Sequence, residues 1–186
     1  IAYSVQRDKS HPVIYIQSVS GGGATPLTPF PGSNLSPSFS PDGSKIAYTV
    51  TYYNLDKNKG NAELYVMNAD GTDCKQVTQS AKSEFNPVWL TDSQLAFARG
   101  TDNGAQIFAI GIDGKNEKQL SNIPRGIEGF KLSPDQQKVI YTATISKEKD
   151  SEIAKVYEGL PNATGRINED LMYRHWDEWV DAIPHI

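Results

Sequence analysis

Residues 1–186 lack most of the features that mark disulfide-stabilised, membrane-spanning or nucleic-acid-binding chains. One cysteine, Cys74, can form neither an internal disulfide nor a thiolate metal site. No apolar run approaches the ~18 residues that a membrane-spanning helix needs. The net charge of −4, from 18 basic and 22 acidic residues, provides no basic surface for nucleic acid or for an anionic membrane. We therefore expect neither of those partners.

Catalytic and ligand-binding motifs are also missing. A hydrolase serine needs the Gly-x-Ser-x-Gly turn to expose its hydroxyl, and no such pentapeptide occurs. Gly21–Gly23 lacks the helix and lysine of a phosphate-binding loop. Residues 56–61 begin like a calcium loop, but its twelfth position is Met67, so a hairpin tip is the better interpretation. We expect no catalytic residue, no metal and no cofactor within residues 1–186.

What the chain does contain is a repeat. Ile1, Ile46, Leu95 and Val139 begin similar apolar runs at intervals of 45, 49 and 44 residues. Each run is rich in Ile, Val, Tyr and Phe and is bounded by Pro-Asp or Asp-Gly turns, which is typical of short antiparallel strands. A period in the mid-forties matches a four-stranded propeller blade. The sequence therefore predicts an all-β propeller segment of antiparallel blades, and we favour it over a solenoid or a sandwich.

The repeat divides the chain into about four units. We expect a partial unit at 1–34, units at 35–84, 85–128 and 129–167, and the start of a further unit at 168–186. The innermost strands are predicted at 35–40, 86–90 and 129–133, and the third strands at 63–67 and 106–110. Trp89, Phe39, Phe97 and Phe130 recur at repeat positions, so core packing is their expected role.

Neither end of the chain coincides with a unit boundary. Residue 1 enters at a second strand, and residues 183–186 resemble the start of another strand. We therefore expect an arc cut from a larger propeller, with the rest of the functional chain outside this sequence. The alternative is a four-bladed ring closed by the strand near 171–176. Unpaired strand edges of an arc would favour self-association.

The repeat resembles a known family. Ser40-Pro41-Asp42-Gly43 with Ile46-Ala47-Tyr48, the run at 64–71, and Gln76-Val77-Thr78 resemble the WD40-like propeller repeat of TolB proteins. The same repeat occurs in the N-terminal propellers of prolyl oligopeptidase-type serine peptidases. Over residues 1–145 the resemblance is specific for the fold only.

Residues 170–181 carry the finer resemblance. Their Arg-His-Trp-Asp-x-Trp stretch looks like that of acylaminoacyl- and dipeptidyl-peptidase-like members of the peptidase family. The candidate contact residues are Arg174, His175, Trp176, Asp177 and Trp179. They could line the central tunnel against a peptide or hydrolase domain, or form a packing and salt-bridge cluster between blades, which we favour. The paired-Glu motif of dipeptidyl peptidase IV-type members is absent, so no amine-binding role follows for Glu178.

The resemblance implies a function. A C-terminal α/β-hydrolase domain would carry the catalytic residues, and the propeller would gate entry and position the peptide substrate. The alternative is a TolB-like propeller that acts as a protein-interaction module in the cell envelope. A propeller lyase or glycan-binding protein has no supporting metal or carboxylate cluster in the sequence. Relatives of both leading groups imply a periplasmic or otherwise exported location.

Overall fold

The computed structural model shows an all-β chain and describes residues 1–6, 11–28, 31–146, 157, 159–160, 162, 174–175, 178–179 and 182–186. These residues contain strands and turns and no helix, so none of them belongs to a helix that is long and apolar enough to cross a membrane. The chain divides into two compact units, Ile1–Tyr141 and Thr142–Ile186.

The strands of the described residues follow one another with short turns. In chain order they are β1 (Ala2–Val5), β2 (Val13–Ile16), β3 (Thr25–Pro26), β4 (Ser33–Phe39), β5 (Lys45–Asn54), β6 (Lys59–Asn68), β7 (Lys75–Gln76), β8 (Glu84–Thr91), β9 (Gln94–Thr101), β10 (Gly104–Gly111), β11 (Lys118–Gln119), β12 (Gly129–Leu132), β13 (Val139–Ser146), β14 (Arg174–His175), β15 (Glu178–Trp179) and β16 (Ala182–His185).

Within the first unit the strands form three successive antiparallel sheets. We call β1–β2–β3 the first blade, β4–β5–β6–β7 the second and β8–β9–β10–β11 the third, because neighbours in each series are hydrogen-bonded in that order. The predicted innermost strands correspond to β4, β8 and β12, and the predicted third strands to β6 and β10. The predicted all-β fold with four-stranded antiparallel blades is thereby confirmed.

The second blade is buried on both faces. Ile46, Tyr48 and Val50 of β5 pack with Ile14 of the first blade. Ala47, one residue out of phase, packs toward the third blade with Leu95 and Phe97 among its partners. Side chains alternate across a strand, so a single apolar run supplies both faces. This explains why the strands appear in the sequence as continuous apolar runs.

The third blade repeats this arrangement. Leu95 and Phe97 of β9 face the second blade, while Ala96 and Ala98 face Ile127 and Phe130. Of the four aromatic residues predicted as core, Trp89, Phe97 and Phe130 are buried and Phe39 is partly buried against the core of the first and second blades.

Hydrogen bonds between neighbouring repeats recur at the sequence period. Trp89 Nε1 donates to the Ser38 carbonyl at 2.9 Å across 51 residues. The amide of Asp42 donates to the Asp92 carboxylate at 2.9 Å across 50 residues. These bonds join inner strands and turns of successive blades, so the repeat fixes how the blades stack as well as how each folds.

A hydroxyl near the end of each outer strand closes its blade in the same way. The backbone N–H groups of Ile14, Leu64 and Ile107 donate to the hydroxyls of Thr28, Thr78 and Ser121 at 3.0, 2.9 and 2.8 Å. Each N–H belongs to the strand before the outermost one. The hydroxyl replaces a ladder acceptor where the two-residue outer strand has ended, so each of these three amides keeps a hydrogen-bond partner.

The second unit contains paired strands as well. β13 begins in the first unit, and its later residues pair with β16, with Ala143 opposite His185 and Ser146 opposite Ala182. β14 pairs with β15, with Arg174 opposite Trp179.

The second hairpin is longer than the sequence pattern indicates. β6 begins at Lys59, four residues before the predicted third strand, and pairs with β5 as far as Asn54. The predicted hairpin tip at 56–61 is therefore confirmed in its position, but its last three residues belong to the strand. The physical reason is cross-strand packing, since the Tyr53 ring lies against Gly60. The mixed-charge run at 147–152, for which the sequence predicts a solvated hairpin tip, lies outside the described residues.

Replacement of Thr28 by valine tests the hydroxyl closure. Valine keeps the shape but cannot accept the bond from the Ile14 amide, so a buried donor loses its partner. We expect the free energy of unfolding to fall by ~1–3 kcal/mol in urea titrations. Thr25→Val, on the exposed β3, is the matched control and should stay within ~0.5 kcal/mol of wild type. Equal effects of both changes would contradict the assignment.

Gly104→Ala tests the close approach at the start of β10. Gly104 has a φ of +87°, and a Cβ there would lie 2.1 Å from the Arg125 carbonyl oxygen. We expect destabilisation by roughly 2–3 kcal/mol, measured as a lower urea midpoint. Gly100→Ala is the control, because a Cβ at Gly100 meets nothing within 4 Å. An unchanged midpoint for Gly104→Ala would show that the Arg125 segment moves freely.

Candidate functional site

The contact residues predicted from the sequence belong to the second unit. Arg174 and His175 form β14 and Trp179 belongs to β15, so the backbones of Arg174 and Trp179 lie opposite each other. Trp176 and Asp177 lie outside the described residues. The structure thus brings part of the predicted cluster onto one short hairpin. Its role, whether contact with a peptide or packing between blades, stays a prediction.

The inner strands of the second and third blades each contain a bulge at the same repeat position. Ser36 and Asn86, which are 50 residues apart, have positive φ values of 54° and 56°. The register of each strand with its neighbour shifts at these residues, between Leu35 and Ser38 and between Phe85 and Val88. Bulges redirect side chains at functional edges. Leu35 is 39% exposed and Ser36 is exposed, so this part of β4 is open for contact.

A pair of buried carboxyl groups lies between the second and third blades. Glu63 of β6 and Glu84 of β8 are both buried, with 5% and 0% of their surfaces exposed. Thr78 Oγ1 lies 3.1 Å from Glu63 Oε2 and makes a short hydrogen bond with Glu84 Oε2. Two carboxyl groups from different blades therefore meet at one hydroxyl. We call Glu63, Thr78 and Glu84 the acid pair site.

Further donors surround these carboxyl groups. The Ser80 amide donates to both Glu63 oxygens at 3.0 and 3.2 Å. The single proton of the Ser80 hydroxyl is shared between two acceptors, Glu84 Oε1 at 2.8 Å and the Lys82 carbonyl oxygen at 2.6 Å. Asn61 Nδ2 donates to Glu63 Oε1 at 2.7 Å. The loop from 78 to 84 therefore carries both the hydroxyls and one of the acids, which fixes the site at the crossover between the two blades.

Arg99 of β9 is the cation of this interface. Its Nε donates to Glu84 Oε1 at 2.8 Å, and its two terminal nitrogens bind both Glu117 oxygens at 2.7 Å each. The guanidinium also lies over the rings of Phe97 and Phe108, 5.1 and 4.9 Å from their centroids. Bidentate pairing and stacking hold the guanidinium plane in one orientation.

The environment changes the proton affinity of these groups. Burial, reinforced by the neighbouring Glu84, raises the pKa of Glu63 to about 7. The hydrogen bonds from Arg99 lower the pKa of Glu117. The same pairing with Glu117, and then with Glu84, raises the pKa of Arg99 above its already high ordinary value, against the opposing effect of burial. The acid pair site can therefore hold a proton near neutrality, beside a permanently charged guanidinium.

The acid pair site does not have the form of a hydrolytic centre. Both carboxyl groups are enclosed by side chains of the two blades, which leaves no room for a substrate bond between them. No cluster of three or more potential metal ligands is found among the residues that the structure describes. What the arrangement can do is hold and release a proton at a joint between blades.

The sequence reasoning missed both the acid pair site and the bulges. A signal for the bulges was present, since Ser36-Pro37 and Asn86-Pro87 recur 50 residues apart. A signal for the acid pair was also present. Glu63 and Gln106 occupy the same position 43 residues apart, each directly before an apolar third-strand residue.

Comparisons with known proteins agree with this architecture. The dipeptidyl-peptidase 5 of Porphyromonas gingivalis is 38% identical over 147 residues, which cover 78% of this chain and 21% of the relative. Dipeptidyl-peptidase 5 of Porphyromonas endodontalis is 32% identical over 154 residues, covering 80% of this chain and 21% of the relative. The chain therefore spans about a fifth of the length of these curated relatives.

The solved structure of TolB from Acinetobacter baumannii superimposes with a TM-score of 0.63 at 25% identity. The match covers 79% of this chain and 35% of that structure. The family model described as the TolB beta propeller domain matches residues 1–160. These residues include all three blades of the first unit. The chain belongs to the TolB β-propeller domain family.

Proposed function

We propose that this chain is the propeller part of a serine peptidase of the prolyl oligopeptidase family, of dipeptidyl-peptidase type. It would gate and position peptide substrates for a C-terminal α/β-hydrolase domain. The observation that carries the proposal is the 38% identity to a dipeptidyl-peptidase over 147 residues, compared with 25% identity to the TolB structure. The resemblance of residues 170–181 to the same peptidases supports it.

The inner strands provide the positions at which gating would act. In a propeller the innermost strands line the central channel. Leu35 and Ser36 on β4 are exposed beside the bulge, and Lys131 on β12 is exposed as well. Side chains at these positions would limit the width of the channel, so they would exclude long or folded substrates while short peptides pass.

A TolB-like interaction module remains the second candidate. The family match over residues 1–160 and the TM-score of 0.63 to a TolB structure favour it equally as far as fold is concerned. Its ligand would be another protein, bound without turnover. For both candidates we propose the periplasmic or otherwise exported location that the resemblance implies.

Turnover by the full-length polypeptide separates the two candidates. We expect it to release p-nitroaniline from dipeptidyl p-nitroanilides, because only the peptidase carries a nucleophilic serine. Phenylmethylsulfonyl fluoride should abolish the reaction. Release of amino acids or dipeptides from whole peptides, followed by mass spectrometry, would define the cleavage type. A full-length polypeptide that is folded and shows no turnover on any of these substrates would contradict the peptidase and favour the interaction module.

Leu35→Trp in the full-length enzyme tests gating at the inner strand. A larger side chain should narrow the channel and lower kcat/KM for a ten-residue peptide by about tenfold, equivalent to ~1.4 kcal/mol. For a dipeptidyl p-nitroanilide the change should stay below about twofold. Leu55→Trp is the matched control, since Leu55 is 91% exposed at the β5–β6 turn. Equal losses for both substrates, or the same effect at Leu55, would overturn gating at β4.

A further inference from the structure

The contacts of the Thr78 hydroxyl constrain the number of protons in the acid pair site. Thr78 Oγ1 accepts a hydrogen bond from the Leu64 amide at 2.9 Å, and it contacts both Glu63 and Glu84. A threonine hydroxyl has one proton to donate and two lone pairs with which to accept. It can therefore donate to only one of the two carboxyl groups. The second contact is a hydrogen bond only if the other carboxyl group carries a proton and donates to Thr78.

The charges around the site also indicate that one of the two carboxyl groups carries a proton. Arg99 is the cation in contact with the site, and it is shared between Glu84 and Glu117. Lys82, on the same loop, pairs instead with Asp102 at 3.3 Å, and both of those side chains are largely exposed. Within the described residues one cation thus faces three carboxyl groups, and it contacts Glu84 and Glu117 but not Glu63.

Other groups beside Glu63 are neutral. Asn61 and Ser80 donate hydrogen bonds to it. Tyr65 lies two residues along β6, and burial is the main cause that raises the pKa of its hydroxyl, so it stays protonated near neutral pH. Glu63 consequently has hydrogen-bond donors but no neutralising charge. A buried carboxylate without a cation is costly, so binding a proton is the favoured outcome.

In the third blade, uncharged side chains occupy the repeat positions that correspond to the acid pair site. Gln106, 43 residues after Glu63, accepts bonds from the Ser121 hydroxyl and the Ile123 amide at 2.8 Å each. These partners lie 43 residues after Thr78 and Ser80. Ile127 takes the position of Glu84 and is buried. The repeat therefore accepts a neutral amide at this point in one blade and an acid in the other.

We propose that Glu63 and Glu84 share one proton at the joint between the second and third blades, and that this joint is a pH-sensitive lock. With the proton bound, the two blades are connected through Thr78. Its loss leaves two buried carboxylates facing one hydroxyl and weakens the joint. The lock is independent of the peptidase proposal, because it requires only the two blades.

The direction of the pH dependence follows from the proton affinities. Burial raises the pKa of Glu63 in the closed joint, while an opened, solvated joint returns it toward the ordinary value of 4.5. The closed joint therefore binds the proton more tightly than the open one. The contribution of the Glu63 proton to the stability of the closed joint is therefore full below about pH 4.5 and is lost as the pH rises toward 7.

Hydrogen exchange of the full-length polypeptide tests the lock. Between pH 5.5 and 8.5, after correction for intrinsic exchange rates, we expect protection of β6 and of residues 78–84 to fall by about tenfold in the wild type. In Glu63→Gln, which places the side chain of Gln106 at this position and keeps Glu84, the change should be below about twofold. Protection of β10 provides the internal control. Glu117→Gln, which removes a carboxylate whose pKa is lowered, should keep the wild-type slope.

Infrared spectroscopy provides a second measurement that does not depend on a variant. The wild type should show the carbonyl band of a protonated carboxyl group at pH 6 that disappears by pH 9. Absence of this band, or an equal pH slope in wild type and Glu63→Gln, would overturn the proposal. If Glu63→Gln does not fold, the site requires an acid for structure rather than a proton, and the neutral-site argument is wrong.

Discussion

The second and third blades of this protein depend on being covered on both faces. The middle strands are apolar on each side, so Ile46 and Tyr48 of β5 need the first blade while Ala47 needs the third. A sheet of this kind exposes a large apolar area when it stands alone, and each neighbour removes one face from water. Folding and stacking are therefore a single event, and the period of the sequence is the period of that stacking.

The burial of both faces also determines where hydrogen-bonding side chains are needed. Because the middle strands are buried, each amide must find an acceptor where the short outer strand has ended, and Thr28, Thr78 and Ser121 supply it. The outer strands can remain two residues long as a result, which limits the unpaired edge available to other chains. At Thr78 the same hydroxyl also bridges to the next blade through Glu84. The Thr78 hydroxyl thus satisfies an amide within its own blade and also connects that blade to the next one.

The strands were predictable because their signals are local. Apolar runs beginning near Ile46 and Leu95, with turn residues at their ends, are sufficient to place β5 and β9. The acid pair was not predictable in this way, since Glu63 and Glu84 meet only after two blades stack. An alignment of the repeats would have shown that Glu63 occupies the position of Gln106. It would not have shown that Glu84 is the partner of Glu63. For Arg174 and Trp179 the backbone pairing is now known, and their function is still inferred from resemblance.

The two kinds of contact between blades respond differently to solution conditions. Apolar contacts between blades, such as those of Ala47 and Val66 with Leu95 and Phe97, do not depend on pH. The contact through Glu63 depends on a proton, because its carboxyl group is buried without a cation. In the next blade Gln106 makes equivalent bonds with no proton to lose. Adjacent joints of one repeat thus differ at two titratable positions, with Gln106 in place of Glu63 and Ile127 in place of Glu84, so pH can weaken one joint while its neighbour stays closed.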